Sequence, residues 1–504
     1  MKHKRLLGKL LLLLLSLSFV LGTAAACTTE VVLRLPSGQG TGTIPTNTIK
    51  LKTDPVTDYV GPGSEPWLPD LNLDRVFRVA VRKTTKDYVM GVDESADAVL
   101  QAIYDGNLEV GDRLGTEFRW TVWEGDWNDQ LTFVNYIEKA NASNTPYDLV
   151  VSQSLVASVL ATRGLLRNLQ DTKHNDLTAP WWPRTYLNHT NVNGQLYSVA
   201  MNCDCSVMDS AAVIFANNRL LEKAKLEHPL TYIANNEWTF VLLAEMTRAF
   251  DLPQTNPSDH MIRVWGYREA SDEVNADWFL ALGNHFIIPE EKGLVNSLEK
   301  YDFSHFLENI TNFWNYNAVS IEPAESDLFF EERILFYKNT LSFAKELSSK
   351  AGLVQDYQIL PMPKNRPDQK NFYTPIGNEH NVWMIPAALS HTDPDESSAV
   401  LEVLAYERYQ CFPTYFESYI DDLTKEREAN AVMFDLILDS ITVDLAMMYP
   451  YVYTEATVRT PWKAMYDYQR GNLTGSAKEV YDIHAAYWQE VFEKIASFYN
   501  TEGK

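Results

Sequence analysis

The sequence predicts an α/β fold behind an export leader, and three observations carry that reading. From about Arg75, strand-like and helix-like stretches alternate in β-α-β-α order, which implies a parallel sheet covered by helices. The 504 residues are 45% hydrophobic and 22% charged, enough for a large core beneath a solvated surface. The first 26 residues differ in composition from everything after them.

Lys2, Lys4, Arg5 and Lys9 form a basic start, Leu10 to Leu21 an apolar run too short to span a bilayer comfortably, and Gly22 to Ala26 a small-residue stretch. Together they read as a signal peptide over 1–26. Cys27 follows at once and resembles the acylated cysteine of a bacterial lipobox, so a lipid anchor on Cys27 is expected. Ala24-x-Ala26 also suits ordinary signal peptidase, which leaves a freely secreted chain. Residues 27–70 are rich in Thr, Pro, Gly and Ser and read as a flexible tether. Gly38-x-Gly40-x-Gly42 within it has neither the strand nor the helix that a phosphate loop needs. No later run of about 18 apolar residues exists, so no second span is expected.

Val76–Val81 and Glu117–Val122 alternate apolar and polar residues as strands do. Leu131, Val134 and Ile137 give Trp127–Ala140 helical spacing, with Asp126 as its expected cap. Tyr147–Val151 reads as a strand, and a helix carries Val156, Val159 and Leu160. Gln195–Val199 reads as a hairpin strand after the Asn193-Gly194 turn. Further strands are expected at Ala212–Phe215, Arg263–Tyr267, Tyr357–Leu360 and Val382–Ile385. Helices are expected at Asn218–Lys225, Trp238–Phe250, Trp278–His285 and Phe303–Tyr316, and through most of the chain beyond Glu396.

The formal net charge is -24. The four leader cations stand with no acid beside them, so the mature chain is more negative still. That excludes nucleic acid and anionic membrane surfaces as partners, since both require clustered Lys and Arg. Cys203, Cys205 and Cys411 remain after Cys27, an odd number that makes no disulfide framework. No His or Cys set has metal spacing, and no cofactor is expected. The chain lacks a Gly-x-Ser-x-Gly elbow, a His-Glu-x-x-His pair and a Walker loop. Its 67 acids make chance carboxylate pairs inevitable, so an exported glycoside hydrolase is the weaker reading.

One series of short motifs runs in a familiar order. Tyr147-Asp148-Leu149-Val150 is followed by Gly164-Leu165-Leu166-Arg167-Asn168-Leu169, Pro180-Trp181-Trp182 and Asn193-Gly194-Gln195-Leu196-Tyr197. Ile214 to Glu222, Trp238-Thr239-Phe240 and Asp356 to Lys364 come later. The series resembles the family 1 extracellular solute-binding proteins of ABC importers. It departs from them at Phe329-Phe330-Glu331-Glu332-Arg333 and between Asn365 and His380. The resemblance implies two α/β lobes over 71–504 with a ligand cleft between them. The first lobe would comprise about 71–200 and 335–365, the second about 201–334 and later segments, with the C-terminal helices shared. It further implies a small solute, with a sugar favoured over a peptide or polyol, delivery to permease subunits, an extracytoplasmic location and a monomeric state.

Ligands of open parallel sheets bind beyond the carboxyl ends of strands. That rule selects Trp123, Glu124 and Asp126 after one strand, and Ser152 and Gln153 after the next. Asn202 and Asp204 lie near the expected crossing. Trp265 and Tyr267 end the strand read at 263–267, and Trp383 lies in the last one. Indole faces stack on the C–H face of a pyranose, and carboxylates accept paired hydrogen bonds from vicinal hydroxyls. Trp181-Trp182 reads as structural.

Overall fold

The computed structural model describes residues 30–31, 49–50, 68–126, 129–251, 263–270, 275–290, 293–301, 304–320, 326–349, 356–388, 393–419, 427–449 and 475–501. The chain divides into two compact units, Met1–Leu51 and Lys52–Lys504. In the first, Glu30–Val31 pairs antiparallel with Ile49–Lys50, inside the stretch read as a tether. The leader and Cys27 lie outside the described residues. Among the described residues no helix is long and apolar enough to cross a membrane.

The packed part of the second unit is already under way at Leu68, three residues before the expected boundary. Arg113 Nε donates to the Pro69 carbonyl at 3.2 Å, and Leu68, Leu71 and Leu73 pack on the core. Among the described residues, nine of the strands that follow build the two larger sheets: β1 (Arg75–Arg82), β2 (Thr116–Trp123), β3 (Leu149–Gln153), β4 (Ala212–Asn217), β5 (Trp265–Glu269), β6 (Val319–Ser320), β7 (Ile334–Thr340), β8 (Tyr357–Pro361) and β9 (Asn381–Met384). They form two sheets, ordered β9-β3-β1-β2 and β6-β5-β7-β4-β8. In the first, β1 is parallel to β2 and β3, and β9 runs antiparallel to β3. In the second, only β4 runs against its neighbours.

Local chemistry accounts for the pieces. β3 reads Leu-Val-Val-Ser-Gln and is buried throughout, as a central parallel strand must be. Edge strand β2 alternates half-buried and exposed residues along most of its length. The helix Ala98–Leu114 starts on Asp97, whose carboxylate accepts from the Val99 and Leu100 amides, and stops at Gly115. Gly115 has φ +61, and a Cβ there would come within 2.0 Å of Asn72 Oδ1, so only glycine ends the helix this way. Asn193 and Gly194 both take positive φ, as the turn residues predict. No strand follows them; Val199 instead exchanges two hydrogen bonds with Trp383, at 2.8 and 3.0 Å. The helix expected from Trp127 begins at Gln130, with Asp129 rather than Asp126 in the cap position.

The lobe assignment needs one correction. Strands β7 and β8 fall in the 335–365 stretch read into the first lobe, yet both pair with β4 in the second sheet. The chain therefore crosses out between 198 and 211, returns between 362 and 381, and leaves the first sheet only after β9. The two crossings touch at the Ala211–Ile376 bridge and where the Asn381 amide donates to Ser206 Oγ at 2.8 Å.

Candidate functional site

Parallel strands aim their carboxyl ends at one edge of each sheet. On the first sheet that edge holds Arg82, Trp123, Gln153 and the start of β9 at Asn381. Arg82 is 2% exposed; its Nη1 donates to Gln153 Oε1 at 3.1 Å and its Nη2 to the Glu379 carbonyl at 2.6 Å. Burial holds its guanidinium below the ordinary range. Arg82 Nε, Gln153 Nε2 and Asn381 Nδ2 are buried without a hydrogen-bond partner among the described residues. Such groups are few in folded proteins, and three together make a polar floor.

Above this floor the groups are accessible. Lys83 Nζ meets Glu124 Oε1 at 2.6 Å, with both side chains more than half exposed. Asp126 is exposed and Trp123 half-buried. Trp123 stacks on Tyr136 at 4.0 Å and 16°, and its Nε1 donates to Tyr147 Oη at 2.8 Å. One indole face is thus covered and the ring is fixed.

The two carboxyl edges meet at Lys345. Tyr88 lies on the helix Lys86–Met90, directly after β1; Lys345 lies on the helix Phe343–Ser349, directly after β7. Lys345 Nζ donates to Asp209 Oδ2 at 2.7 Å and to Tyr88 Oη at 3.2 Å. Tyr88 Oη donates to Asp209 Oδ2 at 2.8 Å, and Tyr415 Oη to Asp209 Oδ1 at 2.7 Å. The ammonium also sits 4.9, 5.2 and 4.4 Å from the ring centres of Tyr88, Tyr415 and Tyr419, within cation–π range. Burial, then Asp209, pushes the Tyr88 phenol well above its ordinary range, so it stays a neutral donor. Sequence reasoning missed all five residues. The strand-end rule reaches Tyr88 and Lys345 when applied to β1 and β7; nothing local points to Asp209, Tyr415 or Tyr419.

The other expected residues are placed differently. Ser152 and Gln153 lie inside β3, fully buried, and only Gln153 joins the floor. Asn202 donates from Nδ2 to the Pro180 carbonyl at 3.0 Å. Asp204, 0% exposed, caps the helix Cys205–Asp209 through the Ser206 amide at 2.8 Å. Both hold the first crossing in place. Trp265 opens β5 and Tyr267 is its middle residue, so neither ends it, because the strand runs two residues later than its alternation indicates. They are 6% and 0% exposed; Arg263 and Arg268 cover the Trp265 ring, and Tyr267 Oη donates to Glu269 at 2.7 Å. Trp383 is 0% exposed in mid-strand. These three aromatics fill sheet cores and present no face to a ligand. Trp127 lies outside the described residues. Cys203, Cys205 and Cys411 are free and buried.

His380 sits beside Asn381 at the return crossing, between Tyr186 Oη at 3.2 Å and the Gly377 carbonyl at 2.6 Å. Burial lowers its pKa from 6.5 to about 4. The unfolded chain then binds the extra proton between these values, so this residue's contribution is present above pH 6.5 and lost as pH falls toward 4. The stability advantage of wild type over His380→Gln should shrink by about 1.4 kcal/mol per pH unit across that window. Urea titrations at pH 7, 6 and 5 check it; a constant difference refutes it.

No family model matches the sequence, and no curated protein matches it. Solved structures do. A cyclo/maltodextrin-binding protein complexed with maltotetraose matches with TM-score 0.55 and 16% identity, over 86% of this chain and 98% of that one. The chain has the two-lobed fold of the solute-binding proteins. The maltose-bound MalE3 of T. maritima (TM-score 0.51, 12% identity, 83% and 100% covered) shares this solute-binding fold. So does a family 1 extracellular solute-binding protein of Bifidobacterium longum subsp. infantis (0.51, 11%, 82% and 99%). Within that fold, Lys345 joins the helix after β7 of the second sheet to Tyr88 after β1 of the first.

Proposed function

We propose that this protein captures a sugar or oligosaccharide between its two carboxyl edges and delivers it to the permease of an ABC importer. It would work outside the cytoplasm, held by a lipid on Cys27. The observation that carries the reading is the meeting of the edges at Lys345, where tyrosines and Asp209 gather; accessible Glu124 and Asp126 beside a fixed indole lie on the carboxyl edge of the first sheet. Carboxylates accept hydrogen bonds from vicinal hydroxyls, and aromatic faces take the C–H face of a sugar ring. Two of the solved proteins that share the fold are bound to maltotetraose and to maltose. The role needs binding and lobe closure, with no covalent step.

Titration with maltose and maltotetraose should raise the melting temperature saturably. Trp123→Ala should weaken that binding about tenfold or more with little loss of stability. Tyr267→Ala, made in a filled core, should instead cost about 3–5 kcal/mol of stability. If no sugar in a broad panel shifts melting while a peptide or polyol does, the ligand class is wrong. Metabolic labelling with palmitate should mark the wild type and not Cys27→Ser.

A further inference from the structure

We propose that the turn after the helix Asn275–Ala281 forms a second ligand site, one that takes the ring of a neutral hydroxylated molecule such as a pyranose. The helix ends because Gly283 adopts φ +81, letting the Gly283 and Asn284 amides turn back onto the Leu280 and Phe279 carbonyls at 2.9 and 3.1 Å. That reversal sets Asn284 and His285 in the wall of a cavity of about 410 Å³, within the usual size of small-molecule sites.

His285 is 6% exposed and held in place: it stacks on His189 at 3.7 Å and 17° and meets Tyr373 edge-on. Its Nδ1 stands 3.5 Å from Asp444 Oδ2, too far for a good hydrogen bond. Its Nε2 and the Asn284 Nδ2 have no hydrogen-bond partner among the described residues. Buried polar groups left this way are costly, and a ligand hydroxyl, which both donates and accepts, suits an imidazole nitrogen and an amide N–H together.

The other walls select the rest of the ligand. Phe240, Phe306 and Tyr301 contribute aromatic rings, and Asn309 and Asn365 contribute amides. Among the described residues no Asp, Glu, Lys or Arg lines the cavity, and these walls offer a charged ligand no counter-charge. The site shares no residue with the edge-to-edge cleft and does not depend on the cleft's assigned role.

The test uses the full mature chain and methyl α-D-glucopyranoside, with glucuronate and glucosamine as charged controls, followed by saturation-transfer NMR and calorimetry. Binding of the neutral glucoside should fall at least tenfold in Asn309→Leu, which replaces a lining amide with an apolar side chain, and measurably in Asn365→Ala, whose side chain is exposed. Trp123→Ala should leave this binding in place. If Asn309→Leu lowers the melting temperature, Asn365→Ala and a crystal of the wild type grown with the glucoside decide: a ring against His285 supports the site. Unchanged affinity in both cavity variants, equal binding of the charged sugars, a sugar seen only in the cleft, or no binding at all overturns it.

Discussion

Lys345→Met should weaken capture of a cleft ligand about tenfold or more while the fold persists. The Lys345 and Asp209 side chains are 22% and 15% exposed, so the pair is only partly screened by solvent. The ammonium makes two hydrogen bonds and lies against three rings, Tyr88 from the first lobe and Tyr415 and Tyr419 from the helix Phe412–Tyr419. Methionine keeps the length and the ring contacts but removes the charge, leaving Asp209 with two tyrosine hydroxyls. A loss of about 1.4 kcal/mol from the arrangement in which the edges meet is a tenfold loss of affinity if ligand binds that arrangement. Small-angle scattering of the ligand-free chain should show a larger radius of gyration for Lys345→Met than for wild type. Equal affinity and equal radius would remove Lys345 from the closing contact. Tyr88→Phe, which deletes one hydroxyl and keeps the ring, should show the same change at smaller amplitude.

Strand β2 was legible because alternation survives on a partly solvated edge, and the candidates Trp123, Glu124 and Asp126 were read from its end. β7 reads Ile-Leu-Phe-Tyr-Lys-Asn-Thr; an apolar run buried on both faces has no period to separate a strand from a buried helix. With β7 unassigned, its pairing with β4 and β5, the lobe boundary and Lys345 beyond its end were all out of reach. Tyr415 lies 206 residues from the Asp209 carboxylate it bonds, a meeting set by the two chain crossings and by no local pattern. Trp265 and Tyr267 failed for a smaller reason: a two-residue shift in a strand's end turns a cleft position into a core position.

Glu402 was equally hidden, since an acid on a late helix ordinarily faces water. Here it is 0% exposed and gathers three donors: the Trp181 indole at 2.8 Å, the Trp182 indole at 3.2 Å and the Asp176 amide at 3.1 Å. The helix Pro394–Gln410 thereby pins the loop that leads into the first crossing. Glu402→Ala leaves three N–H groups unpaired, two of them on indoles that are 1% and 2% exposed. At about 1–3 kcal/mol for each stranded group, the loss should reach roughly 3–9 kcal/mol, a large share of the 5–15 kcal/mol that holds a typical domain together. The charge adds a pH signature. Burial outweighs the three donors and raises this carboxyl from 4.5 to about 8, so between those values the folded chain keeps a proton that the unfolded chain has released. Its contribution is full below pH 4.5 and is lost as pH rises toward 8, the opposite sense to His380. Glu402→Gln, which cannot ionise, should therefore gain on wild type by about 1.4 kcal/mol per pH unit over that window, whatever fixed amount its amide loses by facing an indole N–H. Urea titrations at pH 5, 6.5 and 8 measure that slope; a difference independent of pH would mean that the three donors outweigh burial and Glu402 is ionised throughout.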